Sequence, residues 1–161
     1  MALAAVAVLP HHGDSPIGGD DLVRILSVDP GSKRIGLAIS DPSGTIANPL
    51  TVLDHRARLV DAASVADLAR ANRVVRIIVG QSLDDDGLPT FEGRRSARFA
   101  EALRTQTDLP VELWDEALTT RDARSARIAL GVSRSRRSGH LDDLAATVLL
   151  QSYLDAQTSH A

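Results

Sequence analysis

The stretch from Ile25 to Asp41 constrains the fold more than any other part of the sequence. Residues 25–28 form an apolar run, Pro30-Gly31 interrupt it, and residues 35–40 form a second apolar run. Two such runs on either side of a Pro-Gly turn predict buried strands joined as a hairpin. Asp29 ends the first strand, where a carboxylate is costly to bury unless it is paired or binds a metal ion. The hairpin therefore presents a candidate functional acid at its mouth.

The elements that follow the hairpin predict a single α/β domain with a mixed five-stranded sheet flanked by helices. Residues 45–53 form a third strand, and three strands joined by tight turns indicate an antiparallel meander. Helical periodicity then alternates with short apolar runs. We predict helices over residues 59–72, 91–104 and 141–156, a further helix starting at Thr119 or Thr120 and ending at Gly131, and strands over residues 74–80 and 111–115.

A helix separates the meander from the strand at residues 74–80. Because such a crossover returns the chain in the same direction, this strand is predicted to run parallel to the first, which then lies centrally. The apolar periodicity also defines the buried helix faces, with Asp61 placed away from the face of its own helix. The side chains expected to be buried are Ala62, Val65, Ala66 and Ala69 in the first helix, Phe99, Ala100 and Leu103 in the second, and Leu141, Ala145, Val148 and Leu149 in the last.

The length and composition fit one soluble domain over residues 22–157, preceded by a flexible arm at 1–21 and followed by a short tail at 158–161. The chain has no cysteine, which excludes disulfides and thiolate metal sites and fits a cytoplasmic location. The apolar first ten residues lack a basic region and are too short to span a bilayer, so we expect neither a signal peptide nor a membrane partner.

Three acids follow or begin elements that this topology can bring together: Asp29 after the first strand, Glu116 after the last strand, and Asp142 at the start of the last helix. Oxygen ligands of this kind hold Mg²⁺ or Mn²⁺, and such ions can drive phosphodiester hydrolysis. Simpler roles stay open: Asp29 could cap its turn, Glu116 could face solvent, and Asp142 or Asp143 could only favour a helix N-terminus.

Basic residues lie close to these acids in the sequence. The net charge is −3, so a polyanion would have to meet a local basic patch rather than a global field. Lys33 and Arg34 in the hairpin turn and Arg134, Arg136 and Arg137 in a later loop supply such charge, although a solvated hairpin tip is an equal alternative. Arg94, Arg95 and Arg98 could bind phosphate or form an ordinary exposed helix face.

Four motifs in the same order resemble the YqgF family, whose members are described as Holliday junction resolvases and as pre-16S rRNA nucleases. The motifs are Asp29–Asp41, Ile78–Gly80 with Gly87, Asp115–Thr120 and Asp142–Asp155. The resemblance implies an RNase H-like fold, divalent-metal phosphodiester hydrolysis, and Asp29, Glu116 and Asp142 at the matching acidic positions. The chain departs from the family pattern at Gln81-Ser82, where Leu-Pro is usual, and at Ala117, where Arg is usual.

The resemblance implies cleavage of a structured RNA, the precursor of 16S rRNA, at its 5′ end. Three alternatives stay open. Branched DNA with four arms is a second substrate class for the same chemistry. A phosphate-binding domain like those of sugar kinases and actin shares the acid, glycine and basic residues of the first hairpin, but those proteins use two such domains. A catalytically silent nucleic-acid binding module is the fourth reading, with Ala117 as its sign. The oligomeric state is left open.

Overall fold

The computed structural model describes residues 22–119 and 141–160 of the chain. The strands in this part are β1 Arg24–Pro30, β2 Arg34–Ser40, β3 Ala47–Asp54, β4 Val74–Gln81 and β5 Val111–Asp115. The helices are α1 Arg58–Ala71, α2 Phe91–Arg104 and α3 Leu141–Ser159, with a short 3₁₀ turn at Glu116–Thr119. Thr119, one of the two predicted starts of a further helix, ends the 3₁₀ turn, and the rest of that predicted helix, to Gly131, lies outside the described residues.

The five strands form one sheet in the order β3-β2-β1-β4-β5. β1 pairs antiparallel with β2, and β2 with β3, which confirms the predicted meander. β4 pairs parallel with both β1 and β5. The central position of β1 and its parallel neighbour are therefore confirmed. Because β1, β4 and β5 run in the same direction, their carboxyl ends meet at one edge of the sheet.

The two faces of the sheet are covered by different helices. Leu26 and Val28 of β1 belong to the core that includes the buried residues of α1 and α2. Ile25 belongs to a second core with Ala146, Leu150 and Tyr153 of α3. Ser27 is fully buried, and its hydroxyl donates to the carbonyl of Ala146 over 2.7 Å. Since side chains alternate along a strand, Asp29 lies on the same face as Ile25 and Ser27, the face that α3 covers.

Two predicted helix positions are wrong. Asp61 is buried at 4% exposure, because its carboxylate contacts Nδ1 of His55 at 2.6 Å and accepts the N–H of Arg56 at 3.1 Å. These two contacts compensate the cost of burying the charge. The prediction missed them because the apolar periodicity of a helix carries no information about polar contacts. Ala145 is exposed instead of buried. α3 buries the stripe of Ala146, Leu149, Leu150, Tyr153 and Leu154, and the helix continues past the predicted end at Ala156.

The remaining predicted core side chains of α1 and α2 are buried, as are Val148 and Leu149 of α3. Leu141 begins α3, and its side chain lies outside the described part of the chain. None of the helices in the described ranges is long and apolar enough to cross a membrane.

Candidate active site

The carboxyl edge of the sheet gathers the functional candidates. Asp29 lies near the end of β1, and Glu116 directly follows β5. α3 runs antiparallel to β1, because Ala146 contacts Ser27 while Tyr153 accepts a hydrogen bond from Arg76, whose partner in β1 is Ile25. The N-terminal end of α3 therefore points toward the edge where β1 ends. Asp142 lies in that first turn, but its side chain is outside the described part of the chain.

Glu116 lies against the backbone of Gly80 in β4. A Cβ atom built on Gly80 would be 3.0 Å from Oε1 of Glu116 and 2.9 Å from Cδ2 of Leu149. Since Leu149 belongs to α3, this contact places the Glu116 carboxylate on the α3 face of the sheet, the face to which the alternation of β1 assigns Asp29. A glycine at position 80 leaves the space that the carboxylate needs. The solvent-facing alternative for Glu116 is not supported.

The surroundings of Glu116 disfavour its negative charge. Burial raises the pKa of the Glu116 carboxyl above its ordinary value, and the charges of Glu92 and Asp115 raise it further. A bound cation would offset both the free-energy cost of burying this charge and the repulsion from the two neighbouring acids. Carboxylate oxygens are the donors that Mg²⁺ and Mn²⁺ prefer. The residues present therefore fit a divalent ion. The described side chains alone do not form a group of three metal ligands, and the joint site with Asp142 stays a prediction.

Asp115 and Glu116 are adjacent but differ in what they contact. The Oδ1 atom of Asp115 accepts the N–H of Ala117 at 2.9 Å, so Asp115 caps the short 3₁₀ turn. Ala117, at the position where the resembled family carries Arg, is exposed. Glu116 is thus the acid of this pair that reaches β4 and α3.

The hairpin turn presents its basic residues at the same edge. Lys33 and Arg34 are exposed, and the backbone of the turn is held by the N–H of Gly31, which donates to the carbonyl of Arg34 at 2.9 Å. The N–H of His55 donates to the carbonyl of Lys33 at 2.9 Å and ties the turn to the end of β3. The other predicted phosphate contacts, Arg134, Arg136 and Arg137, lie outside the described residues.

Gln81-Ser82, which departs from the family pattern, joins the end of β4 to the start of α2. The side-chain amide of Gln81 donates to the carbonyl of Gly93 at 3.3 Å, and the carbonyl of Ser82 accepts the N–H of Thr90 at 3.0 Å. A Cβ atom at Gly93 would be only 2.0 Å from that carbonyl oxygen. The first turn of α2 is therefore packed closely onto the edge that carries Glu116.

Two features at this edge were not predicted. A pocket of about 280 Å³ lies beside the hairpin turn and is lined by residues that include Pro30, His55, Arg58, Asp61 and Arg95. Phe91, the first residue of α2, is 65% exposed. Phe91 could have been noticed in the sequence because it follows the capping Thr90 directly and precedes Arg94-Arg95. An apolar residue at this position is not needed for the core.

The chain is similar to known proteins over most of its length. The sequence model of the family described as "RuvX: Holliday junction resolvase" matches residues 23–156. A protein of Syntrophus aciditrophicus named "Putative pre-16S rRNA nuclease" is 40% identical over 134 residues, covering 83% of this chain and 89% of the relative. A protein of the same name from Caldanaerobacter subterraneus is 38% identical over 136 residues, covering 84% of this chain and 98% of the relative.

Among solved structures, Thermus thermophilus RuvC in complex with a Holliday junction substrate superposes with a TM-score of 0.56 at 17% identity, covering 84% of this chain and 96% of that one. At this level of identity the match concerns the fold. The predicted RNase H-like arrangement is confirmed.

Proposed function

The chain belongs to the RuvX family of Holliday junction resolvases, and from this membership we propose that it is a nuclease that hydrolyses phosphodiester bonds in structured nucleic acid. The observation that carries the proposal is the placement of Glu116 over Gly80 on the α3 face, where the strand alternation also puts Asp29. Two carboxylates that come from distant segments and lie at one sheet edge can share a divalent cation, which is the arrangement expected of a metal-dependent nuclease.

Asp29 and Glu116, together with Asp142 from the first turn of α3, would hold Mg²⁺ or Mn²⁺. When bound, such ions lower the pKa of the attacking water and stabilise the leaving oxygen of a phosphodiester. Lys33 and Arg34, exposed on the hairpin turn, would bind the phosphates of the strand on either side of the cleaved bond. Arg134, Arg136 and Arg137 are proposed to extend this contact.

For the substrate we propose the 16S rRNA precursor, because relatives of about 40% identity that span most of the chain are named pre-16S rRNA nucleases. Cleavage at its 5′ end is what the resemblance to the YqgF family implies. With a ribosomal precursor as substrate, the cytoplasm is the proposed location. A four-way DNA junction is the second candidate, which the description of the matching family favours. Cleavage of a symmetric junction would require two active sites and hence a dimer, whereas trimming an RNA end requires one.

The test is a cleavage assay with purified protein, Mg²⁺ or Mn²⁺, and two substrates: an RNA that carries the unprocessed 5′ end of 16S rRNA and a four-way DNA junction. We expect cleavage of the RNA by the wild-type chain and none by Asp29→Asn. Preferential cleavage of the junction would replace the RNA proposal with the second candidate. A folded protein that binds both substrates but cleaves neither with either ion would be a silent binding module, and the proposed function would be wrong.

A further inference from the structure

Phe91 is an aromatic side chain without a place in the core. The chain contains one Trp, one Tyr and two Phe. Trp114 and Tyr153 pack edge to face with ring centroids 5.1 Å apart, and Phe99 is 4% exposed. Phe91 is 65% exposed at the first position of α2. A large apolar ring held at the surface gains little from folding, and its exposed part is accessible to a partner.

Two arginines accompany the ring. The guanidinium carbons of Arg94 and Arg95 lie 5.8 and 5.6 Å from the centroid of Phe91, within the range of cation–π contacts. They occupy the positions three and four residues after Phe91, the neighbours on a helix surface. Arg95 also approaches Glu92 at 3.5 Å, a long contact to a residue whose side chain is 70% exposed. We call Phe91, Arg94 and Arg95 the Phe91 platform.

The platform lies beside the candidate active site. The hydrogen bonds of Ser82 with Thr90 and of Gln81 with Gly93 fix the first turn of α2 to the end of β4, immediately after Gly80. Arg95 lines the pocket that also contains Pro30 and Gly31, the residues that follow Asp29. Since Ile35 and Phe99 also line this pocket, Arg95 lies on the α1 and α2 side of the sheet, and a strand bound at Asp29 and Glu116 would reach the ring by crossing the carboxyl edge.

We propose that Phe91 stacks on an unpaired base of the bound strand while Arg94 and Arg95 contact its phosphates. This inference rests on the proposed nuclease function, because that function supplies the nucleic acid. A ring flanked by two cations matches a base flanked by phosphates, and every base offers an aromatic face. The same cations would oppose burial of the ring in an apolar protein interface, since both guanidiniums would lose their water.

The first test measures binding by fluorescence anisotropy, with EDTA present to prevent cleavage. The probes are the precursor RNA with a single-stranded 5′ leader and the four-way junction. Phe91→Ala should weaken binding of the preferred probe by about 5- to 150-fold, which corresponds to the loss of one stacked base. Phe91→Trp should bind as the wild type does. Leu88→Ala is the matched control, since Leu88 is exposed to a similar extent, 61%, shortly before α2, and its loss should leave affinity unchanged.

An abasic scan of the probe separates stacking from a general effect of the substitution. Removing the base at one position should weaken wild-type binding, and Phe91→Ala should add no further loss at that position only. Arg94→Gln and Arg95→Gln should weaken binding regardless of the base, and each should reduce the salt dependence by about one phosphate contact.

Each result decides for or against the platform. If Phe91→Ala binds and cleaves as the wild type does, the ring contacts something other than nucleic acid, and the platform is wrong while the nuclease proposal stands. A loss that persists unchanged with every abasic probe also contradicts stacking. If the wild-type protein neither binds nor cleaves either probe, the nuclease proposal is wrong, and the stacking proposal, which depends on it, is wrong as well.

Discussion

The carboxylate of Glu116 occupies the space above Gly80, so that a Cβ atom on this glycine would lie 3.0 Å from Oε1. The contact joins the residue after β5 to β4, and it turns Glu116 toward the face that α3 covers. The position of the acid therefore depends on the absence of a side chain 36 residues earlier. Gly80 becomes a residue that positions Glu116.

Gly80→Ala should disturb the acid while leaving the fold intact. The added methyl group would displace Glu116, and a misplacement of about 1 Å can cost on the order of 100-fold in rate. It would also meet Leu149 at 2.9 Å, so stability should fall as well. The control is Gly80→Ala combined with Leu149→Ala, which removes the second contact and keeps the first. Cleavage should stay low in the double variant, and wild-type activity in Gly80→Ala would show that Glu116 is not positioned in this way.

Asp61 stabilises the start of α1 through its two partners, Nδ1 of His55 and the N–H of Arg56. Asp61→Ala should lower the free energy of unfolding by about 1–3 kcal/mol, because it leaves a backbone donor without its acceptor. Asp67→Ala is the control on the same helix. Asp67 pairs with Arg70 while both side chains are more than 70% exposed, and its loss should cost less than about 0.5 kcal/mol. Urea denaturation measures both, and equal losses would refute the role of Asp61.

Asp41 should make stability depend on pH. Its carboxylate accepts the N–H groups of Ile46 and Thr45 at 2.9 and 2.8 Å and the hydroxyl of Ser43, and these bonds hold the pKa of Asp41 well below its ordinary value. A group whose pKa is lower in the folded state stabilises above its unfolded pKa and loses that contribution as the pH falls. The melting temperature of the wild type should therefore fall more steeply below about pH 4 than that of Asp41→Asn. Parallel curves would contradict this.

The sheet could be predicted from the sequence because its strands are apolar and their turns carry Pro, Gly and Asp. The two errors have different causes, a specific partner at Asp61 and the position of the buried stripe at Ala145. Asp61 is buried because His55 and Arg56 satisfy it, and Ala145 is exposed because the buried stripe of α3 runs through Ala146.

Contacts between distant segments could not be predicted from the sequence either. Asp29 and Glu116 could be identified as acids at strand ends, but the contact between Glu116 and Gly80 depends on the register of β4 and β5. Phe91 gave no periodic signal, since a single aromatic residue at a helix start contributes nothing to a buried face.

The most direct measurement is the single-turnover cleavage rate, with Mg²⁺, of the wild type, Glu116→Gln and Asp115→Asn. The two carboxylates are adjacent, but Asp115 caps the N–H of Ala117 while Glu116 faces the site. Glu116→Gln should lower the rate by more than about 100-fold, as loss of a metal ligand would. Asp115→Asn should stay within a few-fold of the wild type, since its role is local. A Glu116→Gln variant that cleaves at the wild-type rate would contradict the proposed site.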